Sequence, residues 1–401
     1  MKTIRVVRLL LNALLSCLVQ PAPETISSSK PVIVYGASGY TGRLVCEYLR
    51  EYNVPFVAAG RDETRLKTSM ESHVAGIETA DYEVIQVGHD PAALQDLFAG
   101  ASVVCNTVGP FRTHGPEVVE ACLATGTHYL DTTGEQDWLV TCEEKYGTDF
   151  AAAGLLLAPG VAQMYTTGEI AAELCLESPG LDTLDIAVFW GGSPTVASTL
   201  TILVNAALAG AYYLEQNQYQ PWDPEAGLYQ LAIPGQHELA LALPWGGTSH
   251  PVWYRRDPRV ANVKALGGVF NKPLMLGVPQ IVAAAVEATK DMEPDEQYAA
   301  LVATASQVMS QMPPRENPRL NKSLDSVHAS GPLGRAHCVI HGNQNYKQTG
   351  ALQAYSAYAL LQQPPRRAGF ASGCQAFGHR ELLGVLRGFG LVSQPVLTRE
   401  S

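Results

Sequence analysis

The chain has 401 residues, 46% of them hydrophobic and 16% charged, which describes a globular protein long enough for two domains with their own cores. Its formal net charge of −11 argues against nucleic-acid binding and against a polybasic membrane patch. The eight cysteines include no C-x-x-C pair and no His/Cys cluster at zinc spacing, so we expect no metal site and no disulfide framework.

Residues 1–30 form a separate N-terminal extension or targeting-like segment. Lys2, Arg5 and Arg8 precede an apolar run from Leu9 to Val19, as in a secretory signal or a basic organelle-targeting peptide. The run is too short to span a bilayer, so we expect no transmembrane span. The alternative is an extension without a targeting function.

The next stretch combines an apolar strand, a glycine turn and a helix, in the order Val32–Tyr35, Gly36, Gly39, Gly42 and Arg43–Arg50. This arrangement binds a dinucleotide pyrophosphate, because glycines let the backbone approach the phosphates and the helix N-terminus presents free N–H groups. The G-x-x-G-x-x-G spacing is common among NADP-dependent reductases. We predict cofactor contacts from Gly36, Ser38, Gly39, Tyr40, Thr41 and Gly42.

The second strand, Val54–Ala59, ends in Gly60, Arg61 and Asp62. In NAD enzymes an acid at this point holds the ribose 2′-hydroxyl, whereas an arginine accommodates a 2′-phosphate. Arg61 comes first, so the sequence predicts NADP(H), with Arg61 and Asp62 as cofactor-binding residues. The alternative is a solvated loop cation.

Strands and helices then alternate up to the sixth strand. The predicted elements are strands 82–87, 101–108, 128–131 and 154–158 and helices 63–72, 92–98 and 117–125. Alternation at this spacing indicates a Rossmann-type parallel sheet, in which ligands bind at the carboxyl ends of the strands. Three turns should therefore converge there: Gly36–Gly42, Thr107–His114 and Thr132–Glu135. We predict that the second turn contacts the cofactor through Val108, Gly109, Pro110 and Phe111.

The rest of the chain predicts a second α/β domain with a mixed sheet, followed by C-terminal helices that return to the first domain. Its predicted elements are a helix at 166–175, a strand at 183–190, an uncharged helix at 198–214, helices at 279–289 and 294–312, a surface turn at 313–321, a strand at 334–341, and helices at 350–361 and 378–392. We place the domain boundaries at 31–160, 161–347 and 348–401.

Catalytic candidates lie near the converging turns, because a nicotinamide reductase needs the protein to supply position and often a proton. We expect His114 either to donate a proton or orient the substrate, or to cap the next helix. We expect Glu135 either to face the nicotinamide or to accept hydrogen bonds from loop N–H groups. Tyr165 is a phenolic proton donor or a core aromatic. The histidines at 337 and 341 share a strand face and indicate packing.

Four segments together resemble the saccharopine dehydrogenase-like oxidoreductases, including the trans-acting enoyl reductases. They are the GASGYTG loop, the AAGRD strand end, the NTVGPF segment and the YLDTTGE segment, all between Val32 and about Ala158. The resemblance implies an NADP-binding Rossmann domain, a second α/β domain and C-terminal helices that fold back on the first. The chain departs from the family pattern at Pro159–Met164, where many members have G-F-D-S-[IV]-P.

The leading hypothesis is an NADPH-dependent reductase of a C=C bond conjugated to a carbonyl. The alternatives are a C=N reductase, for which Arg255, Arg256 and Arg335 are available as carboxylate clamps, and an NADP-binding scaffold without chemistry. We expect an apolar small-molecule substrate, a homodimer as a possibility, no nucleic-acid partner and a cytoplasmic location, since a secreted enzyme has no access to cytosolic cofactor.

Overall fold

The computed structural model describes residues 30–208, 210–223, 227–244, 249–309 and 312–400. The targeting-like segment therefore lies outside the described residues, apart from Lys30. In the described part of the chain, no helix has the length and apolar character needed to cross a membrane.

The strands are β1 (Val32–Tyr35), β2 (Phe56–Gly60), β3 (Tyr82–Gln86), β4 (Val103–Asn106), β5 (His128–Asp131), β6 (Leu156–Ala158), β7 (Thr183–Trp190), β8 (Tyr212–Glu215), β9 (Gln218–Pro221), β10 (Tyr229–Leu231), β11 (Ala240–Ala242), β12 (Asn262–Val269), β13 (Lys322–Gly331), β14 (Gly334–Asn343), β15 (Gly369–Phe370) and β16 (Val396–Glu400).

The α-helices are α1 (Tyr40–Glu51), α2 (Glu63–His73), α3 (Pro91–Phe98), α4 (Phe111–Thr125), α5 (Gln136–Thr141), α6 (Gly147–Ala152), α7 (Gln163–Leu176), α8 (Val196–Leu208), α9 (Ser249–Tyr254), α10 (Lys272–Thr289), α11 (Pro294–Val308), α12 (Asn345–Gln362), α13 (Gly373–Phe377) and α14 (His379–Gly388). A 3₁₀ turn (Ile77–Thr79) precedes β3, and a π-helical stretch (Cys142–Tyr146) joins α5 to α6.

The first sheet has the order β15-β6-β5-β4-β1-β2-β3, and every pairing in it is parallel. β1 is an interior strand between β2 and β4, and all its residues are buried because helices cover both faces. The predicted Rossmann-type parallel sheet is confirmed.

The second sheet has the order β16-β14-β13-β7-β12-β8-β9. β7 pairs in parallel with β12 and antiparallel with β13, so the sheet is mixed, as the sequence predicted. One face packs on α7, where Cys175 Sγ donates to the Val327 carbonyl at 3.8 Å.

C-terminal elements return to the first sheet. α12 packs on α1 so closely that a Cβ on Gly350 would lie 2.8 Å from the Leu44 Cβ. Further along the same pair, the Tyr52 and Tyr358 rings stack with centroids 5.0 Å apart. β15 then adds a strand to the first sheet beside β6, and this pairing was not expected from the sequence. The domain boundaries themselves stay a prediction.

Several helices begin earlier than the sequence indicates, as α1 and α4 illustrate. α1 starts at Tyr40 rather than Arg43, with Gly39 in the extended conformation at its N-cap. α4 starts at Phe111 rather than near Glu117, and it contains Pro116. Pro116 lies beyond the first turn, so α4 lacks the hydrogen bond that an N–H at this position would donate to the Arg112 carbonyl.

The uncharged segment predicted as one helix at 198–214 is in fact divided. α8 ends at Leu208, and Tyr212 already belongs to β8, whose strand pairs with β9 and β12. The apolar composition of this segment did not show where the helix ends and the strand begins, because both α8 and β8 are partly buried. The strands β13 and β16 were likewise not expected.

The region predicted as a surface turn at 313–321 is largely exposed, with a turn at 318–320, and it also docks on α1. Arg315 donates to both carboxylate oxygens of Glu47, at 2.9 and 2.5 Å. Glu316 is buried and accepts from the backbone N–H groups of Tyr346 and Lys347 at 3.1 and 2.9 Å, so it holds the start of α12. Burial raises the pKa of Glu316 to about 7, although the hydrogen bonds from Lys347 and Tyr346 lower it.

Candidate functional site

The turn after β1 leaves no room for a side chain at Gly36 or at Gly42. Gly36 has φ +90°, and a Cβ there would lie 2.7 Å from Thr107 Oγ1 and 2.8 Å from a Val108 methyl carbon. A Cβ on Gly42 would lie 2.4 Å from the Gly36 carbonyl oxygen. α1 begins without a side-chain cap at Gly39, so its first N–H groups remain available to an anion. This turn therefore fits a pyrophosphate.

Ser38, Tyr40 and Thr41, also predicted to bind the cofactor, differ in what they contact. The Ser38 carbonyl accepts from Arg43 Nε at 3.1 Å, and the Tyr40 hydroxyl donates to the Pro314 carbonyl at 2.9 Å. Thr41 lines a cleft between the two halves of the chain. Tyr40 thus connects the glycine turn to the docked segment.

Arg61 lies at the end of β2, where the sequence predicted a 2′-phosphate contact. It is exposed and makes no hydrogen bond or ion pair with another described residue. Asp62 accepts from the Arg65 N–H at 2.9 Å and caps α2. The structure therefore gives Asp62 a helix-capping role, and its predicted cofactor contact remains untested.

His114 lies on α4, away from the residues that line the cleft. Its ring packs edge-on against His89, with centroids 5.0 Å apart, and His89 bonds to the Tyr35 hydroxyl at 3.0 Å. Burial lowers the pKa of His114, and the neighbouring His89 and Arg61 lower it further. The imidazole is therefore disposed to be neutral.

The side chain of Glu135 binds the backbone of the second converging turn, Thr107–His114. Its two carboxylate oxygens accept from the N–H groups of Phe111 and Arg112, both at 2.8 Å. Burial raises the pKa of Glu135 to about 7, although both hydrogen bonds lower it. The Gly109–Pro110 peptide bond, within this turn, is cis. Glu135 is itself outside the cleft lining, so its geometry matches the backbone-holding alternative.

Asp131, at the end of β5, connects two more turns. It is fully buried and accepts from the N–H groups of Gly160 and Thr133 at 2.8 and 2.9 Å. The side chains of Tyr129 and Trp138 also donate to it, at 2.8 and 3.1 Å. Burial raises its pKa to about 6. The turns after β5 and β6 are thereby held together.

Tyr165, on α7, lies in the cleft wall. Its hydroxyl occupies the space beside Gly134, where a Cβ would meet it at 1.6 Å, so a side chain at that position would displace the phenol. Burial raises the pKa of the Tyr165 hydroxyl above its usual range, and the carboxyls of Glu135 and Asp131 raise it further. The hydroxyl therefore keeps its proton at neutral pH.

The cleft joins the two halves of the chain. It encloses about 1070 Å³ of empty space, including the part open to solvent, and none of its described lining side chains is charged. One wall comes from the turns of the first sheet and the other from α7, β7, α8 and α12. The lining residues are Thr41, Thr107, Gly109, Phe111, Thr132, Gly134, Ala162, Gln163, Met164, Tyr165, Trp190, Thr195, Ala197, Ser198, Thr201, Ile202, Asn205, Asn345, Tyr346 and Thr349.

A cluster of hydroxyl groups in the second wall was missed by sequence reasoning. The Tyr346 hydroxyl accepts from the Thr195 N–H at 3.0 Å and bonds to the Ser198 hydroxyl at 2.9 Å. These residues are separated by about 150 positions in the chain, so no local pattern marks them. Gln163 was also missed, although the segment that contains it had been noted as a departure from the family pattern.

A second, apolar cavity adjoins the cleft. It encloses about 580 Å³ of empty space, including the part open to solvent, and it shares Trp190 and Ile202 with the cleft lining. Its only hydroxyl among the described lining side chains belongs to Thr199. The other lining residues are Pro194, Leu203, Val269, Leu274, Met275, Val278, Ile281, Val282 and Val308.

Comparison with known proteins supports this organisation. Residues 32–155 match the saccharopine dehydrogenase NADP binding domain, which confirms the resemblance and the expected cofactor, NADP(H). Residues 166–401 match a family of unknown function (DUF5938). The chain is 34% identical over 131 residues to the lipid droplet localized protein of Caenorhabditis elegans, which covers 31% of each chain.

Two further relatives are also similar to part of this chain. The saccharopine dehydrogenase-like oxidoreductase of Homo sapiens is 32% identical over 139 residues, covering 31% of this chain and 32% of that protein. The trans-acting enoyl reductase of Mycobacterium ulcerans is 35% identical over 107 residues, covering 26% of this chain and 25% of that protein. The match thus spans about a third or less of each of these relatives.

A solved structure matches nearly the whole chain. The saccharopine dehydrogenase (L-Glu forming) of Saccharomyces cerevisiae superimposes with a TM-score of 0.59 at 12% identity, covering 92% of this chain and 100% of that one. At this identity the likeness shows the fold alone. The chain belongs to the family of unknown function DUF5938, and it carries a saccharopine dehydrogenase-type NADP binding domain at residues 32–155.

Proposed function

We propose that the protein is an NADPH-dependent oxidoreductase that reduces a C=C bond conjugated to a carbonyl. The observation that carries this proposal is the cleft, which runs from the glycine turn at Thr41 to an uncharged wall with an apolar cavity behind it. When bound, NADPH supplies a hydride to one carbon of the double bond, and the other carbon takes up a proton, which leaves NADP⁺ and the saturated carbonyl compound.

The protein's contribution is to position the substrate and supply that proton. Tyr165 is our first candidate for the donor, because its hydroxyl lies in the cleft wall and burial keeps it protonated. His114 and Glu135 rank behind it, since neither lines the cleft. The hydroxyl cluster of Thr195, Ser198 and Tyr346 is suited to hydrogen bonding with the substrate's polar end.

The shape of the site favours a substrate with a polar end and an apolar tail. Trp190 and Ile202 separate the cleft from the apolar cavity, so a chain that passes between them would leave its carbonyl in the cleft. Burial of the tail would contribute about 0.8 kcal/mol for each CH₂ group.

The C=N alternative lacks a corresponding feature. Reduction of an imine formed with an amino acid requires a cation for the carboxylate, and the described cleft lining has none. None of the three candidate arginines, Arg255, Arg256 and Arg335, is in the described cleft lining. Arg255 pairs with Glu144 at 3.2 Å and Arg256 with Glu143 at 2.9 Å.

The test is NADPH oxidation, followed by absorbance, with carrier-bound or CoA-bound enoyl substrates of increasing chain length. We expect turnover with a KM that falls as the chain lengthens. Turnover only with an α-keto acid plus an amine would favour the C=N reductase. No turnover with either, while NADPH binds, would leave the NADP-binding scaffold.

We propose a cytoplasmic location, in line with seven buried, unpaired cysteines among the described residues. Microscopy of fluorescent fusions with and without residues 1–30 tests it, and organelle targeting by that segment would contradict it. We also propose a homodimer, because Leu276 on α10 is 50% exposed and lies beside other apolar residues of that helix. Light scattering would contradict it by giving the monomer mass.

A further inference from the structure

Gln163 is the first residue of α7 and lines the cleft, yet its carboxamide makes no hydrogen bond of acceptable geometry with another described residue. It is 1% exposed, and its backbone N–H donates to Thr349 Oγ1 at 3.1 Å. The nearest candidate partner of Oε1 and Nε2 is the Asp325 carboxyl, and the structure does not place the two groups in hydrogen-bonding geometry. Buried polar atoms without partners are uncommon and costly, so a carboxamide left in this state at a cleft wall indicates a ligand contact.

Asp325 lies behind Gln163, on the face of β13 that packs against α7. The strand pairing sets it opposite Val188 of β7 and Ile340 of β14. It is fully buried, and neither carboxyl oxygen has a hydrogen-bond partner of acceptable geometry among the described residues. Burial raises the pKa of Asp325 well above its usual range, and the adjacent Gln163 carboxamide lowers it by a smaller amount. The carboxyl is therefore held as a neutral acid.

A neutral carboxylic acid and a primary amide have complementary hydrogen-bonding groups. The acid O–H of Asp325 can donate to Gln163 Oε1 while Nε2–H donates back to the other acid oxygen. This arrangement would leave one N–H of Nε2 and one lone pair of Oε1 directed away from Asp325. Gln163 would then present a fixed donor and acceptor to the cleft.

Two more buried polar atoms of the cleft lining lack partners. They are Trp190 Nε1, at the end of β7, and Asn345 Oδ1, at the start of α12. Together with Gln163 they supply donors and acceptors but no charge. The chemistry of this set matches an uncharged, carbonyl-bearing group and not an anion or a cation.

We propose that Gln163 binds an uncharged carbonyl-bearing group in the cleft, and that Asp325 is a positioning residue that orients the Gln163 carboxamide. The group is either the carboxamide of the nicotinamide ring or the carbonyl of the substrate, and in the second case the inference rests on the proposed reductase function. This assigns a binding role to the segment in which the chain departs from its relatives' pattern.

The experiment compares Gln163→Leu, Asp325→Leu and Asp325→Asn with the wild type. The control is Val188→Ala, a packing change directly opposite Asp325. Fluorescence titration gives the Kd of NADPH and of 2′,5′-ADP, which has no nicotinamide. Steady-state kinetics with a CoA-bound enoyl substrate give KM and kcat separately.

If the nicotinamide carboxamide is the ligand, Gln163→Leu raises the Kd of NADPH about tenfold and leaves that of 2′,5′-ADP unchanged. If the substrate carbonyl is the ligand, both Kd values stay constant and KM rises about tenfold. In either case Asp325→Leu has the same effect, and Asp325→Asn retains function because asparagine also offers one donor and one acceptor to Gln163.

The proposal is overturned if Gln163→Leu changes neither Kd nor KM, or if Asp325→Asn loses as much binding as Asp325→Leu. Should Asp325→Leu fail to fold, Gln163→Leu and Asp325→Asn still decide between these outcomes. If the wild type reduces no substrate, the reductase function fails separately. The comparison of NADPH with 2′,5′-ADP then decides this proposal, and an unchanged Kd for both in Gln163→Leu overturns it.

Discussion

The two walls of the cleft differ in how their structure arises from the chain. The wall on the first sheet consists of turns that follow parallel strands, and glycines at fixed spacing determine the backbone there. The opposite wall consists of side chains from α7, β7, α8 and α12, which are far apart in sequence. A site formed by backbone leaves a recognisable local motif, whereas a site formed by side chains from distant elements does not.

The largest expected effect is on the backbone wall. Gly39→Val should abolish NADPH binding but preserve the fold, because Gly39 has an extended backbone that valine adopts and its Cβ would contact only the Gly36 carbonyl, at 3.2 Å. Loss of two charge-assisted N–H contacts corresponds to a Kd increase of about 100-fold or more. Fluorescence titration and circular dichroism measure both effects.

Gly88→Val is the matched control, since a Cβ there meets no atom of the described residues within 4 Å. Tight NADPH binding by the Gly39 variant would contradict the assignment of the pyrophosphate site, and the backbone wall would then have no demonstrated cofactor role.

Arg61→Ala should remove the preference for NADPH over NADH. A hydrogen-bonded contact with the 2′-phosphate contributes about 1.5–3 kcal/mol, so the ratio of the two Kd values should fall by about 10- to 150-fold. The exposed Arg319→Ala serves as a control for the loss of one positive charge. If the Arg61 variant still prefers NADPH over NADH, a different cation binds the 2′-phosphate.

Glu135→Gln separates a positioning role from a catalytic one. An amide cannot accept both N–H groups of the turn, so we expect the free energy of unfolding to fall by about 1–2 kcal/mol and NADPH affinity to fall with it. A catalytic Glu135 would instead lose turnover with both quantities unchanged. Glu78→Gln, an exposed change, is the control.

The pH dependence of the same variant supplies a second measurement. The folded pKa of Glu135 is raised to about 7, so its contribution to stability is present at low pH and is lost as the pH rises through about 7. Denaturant unfolding between pH 4 and 8 should therefore show a flatter profile for Glu135→Gln than for the wild type. A parallel pair of profiles would contradict this assignment.

The smallest expected effect concerns the segment that docks on α1. Arg315→Ala should lower the free energy of unfolding by about 1 kcal/mol, because the arginine is half exposed and solvent screens its pair with Glu47. A double-mutant cycle with Glu47→Gln isolates the pair. A coupling energy near zero would mean that the segment is held by its other contacts, such as those of Glu316 with the start of α12.

Sequence reasoning succeeded where a local rule applies. The β1 strand, the glycine turn and the helix predicted at 92–98, which Asp90 caps, follow from burial, backbone freedom and capping, which act within a few residues. It failed for β15 and for the segment at Glu316. Their partners are Leu156 and Tyr346, and nothing near either position in the chain indicates such a pairing.

By itself the sequence determined the alternating α/β architecture and the nicotinamide-nucleotide turn, because strand burial, helix capping and glycine geometry are encoded locally. Only the tertiary structure decided which side chains face that turn. Asp325 and Gln163 are brought together because β13 packs beneath α7, and Ser198 and Tyr346 meet because α8 and α12 start at the same edge of the cleft. Such meetings depend on packing between distant elements, and that packing is a property of the whole fold.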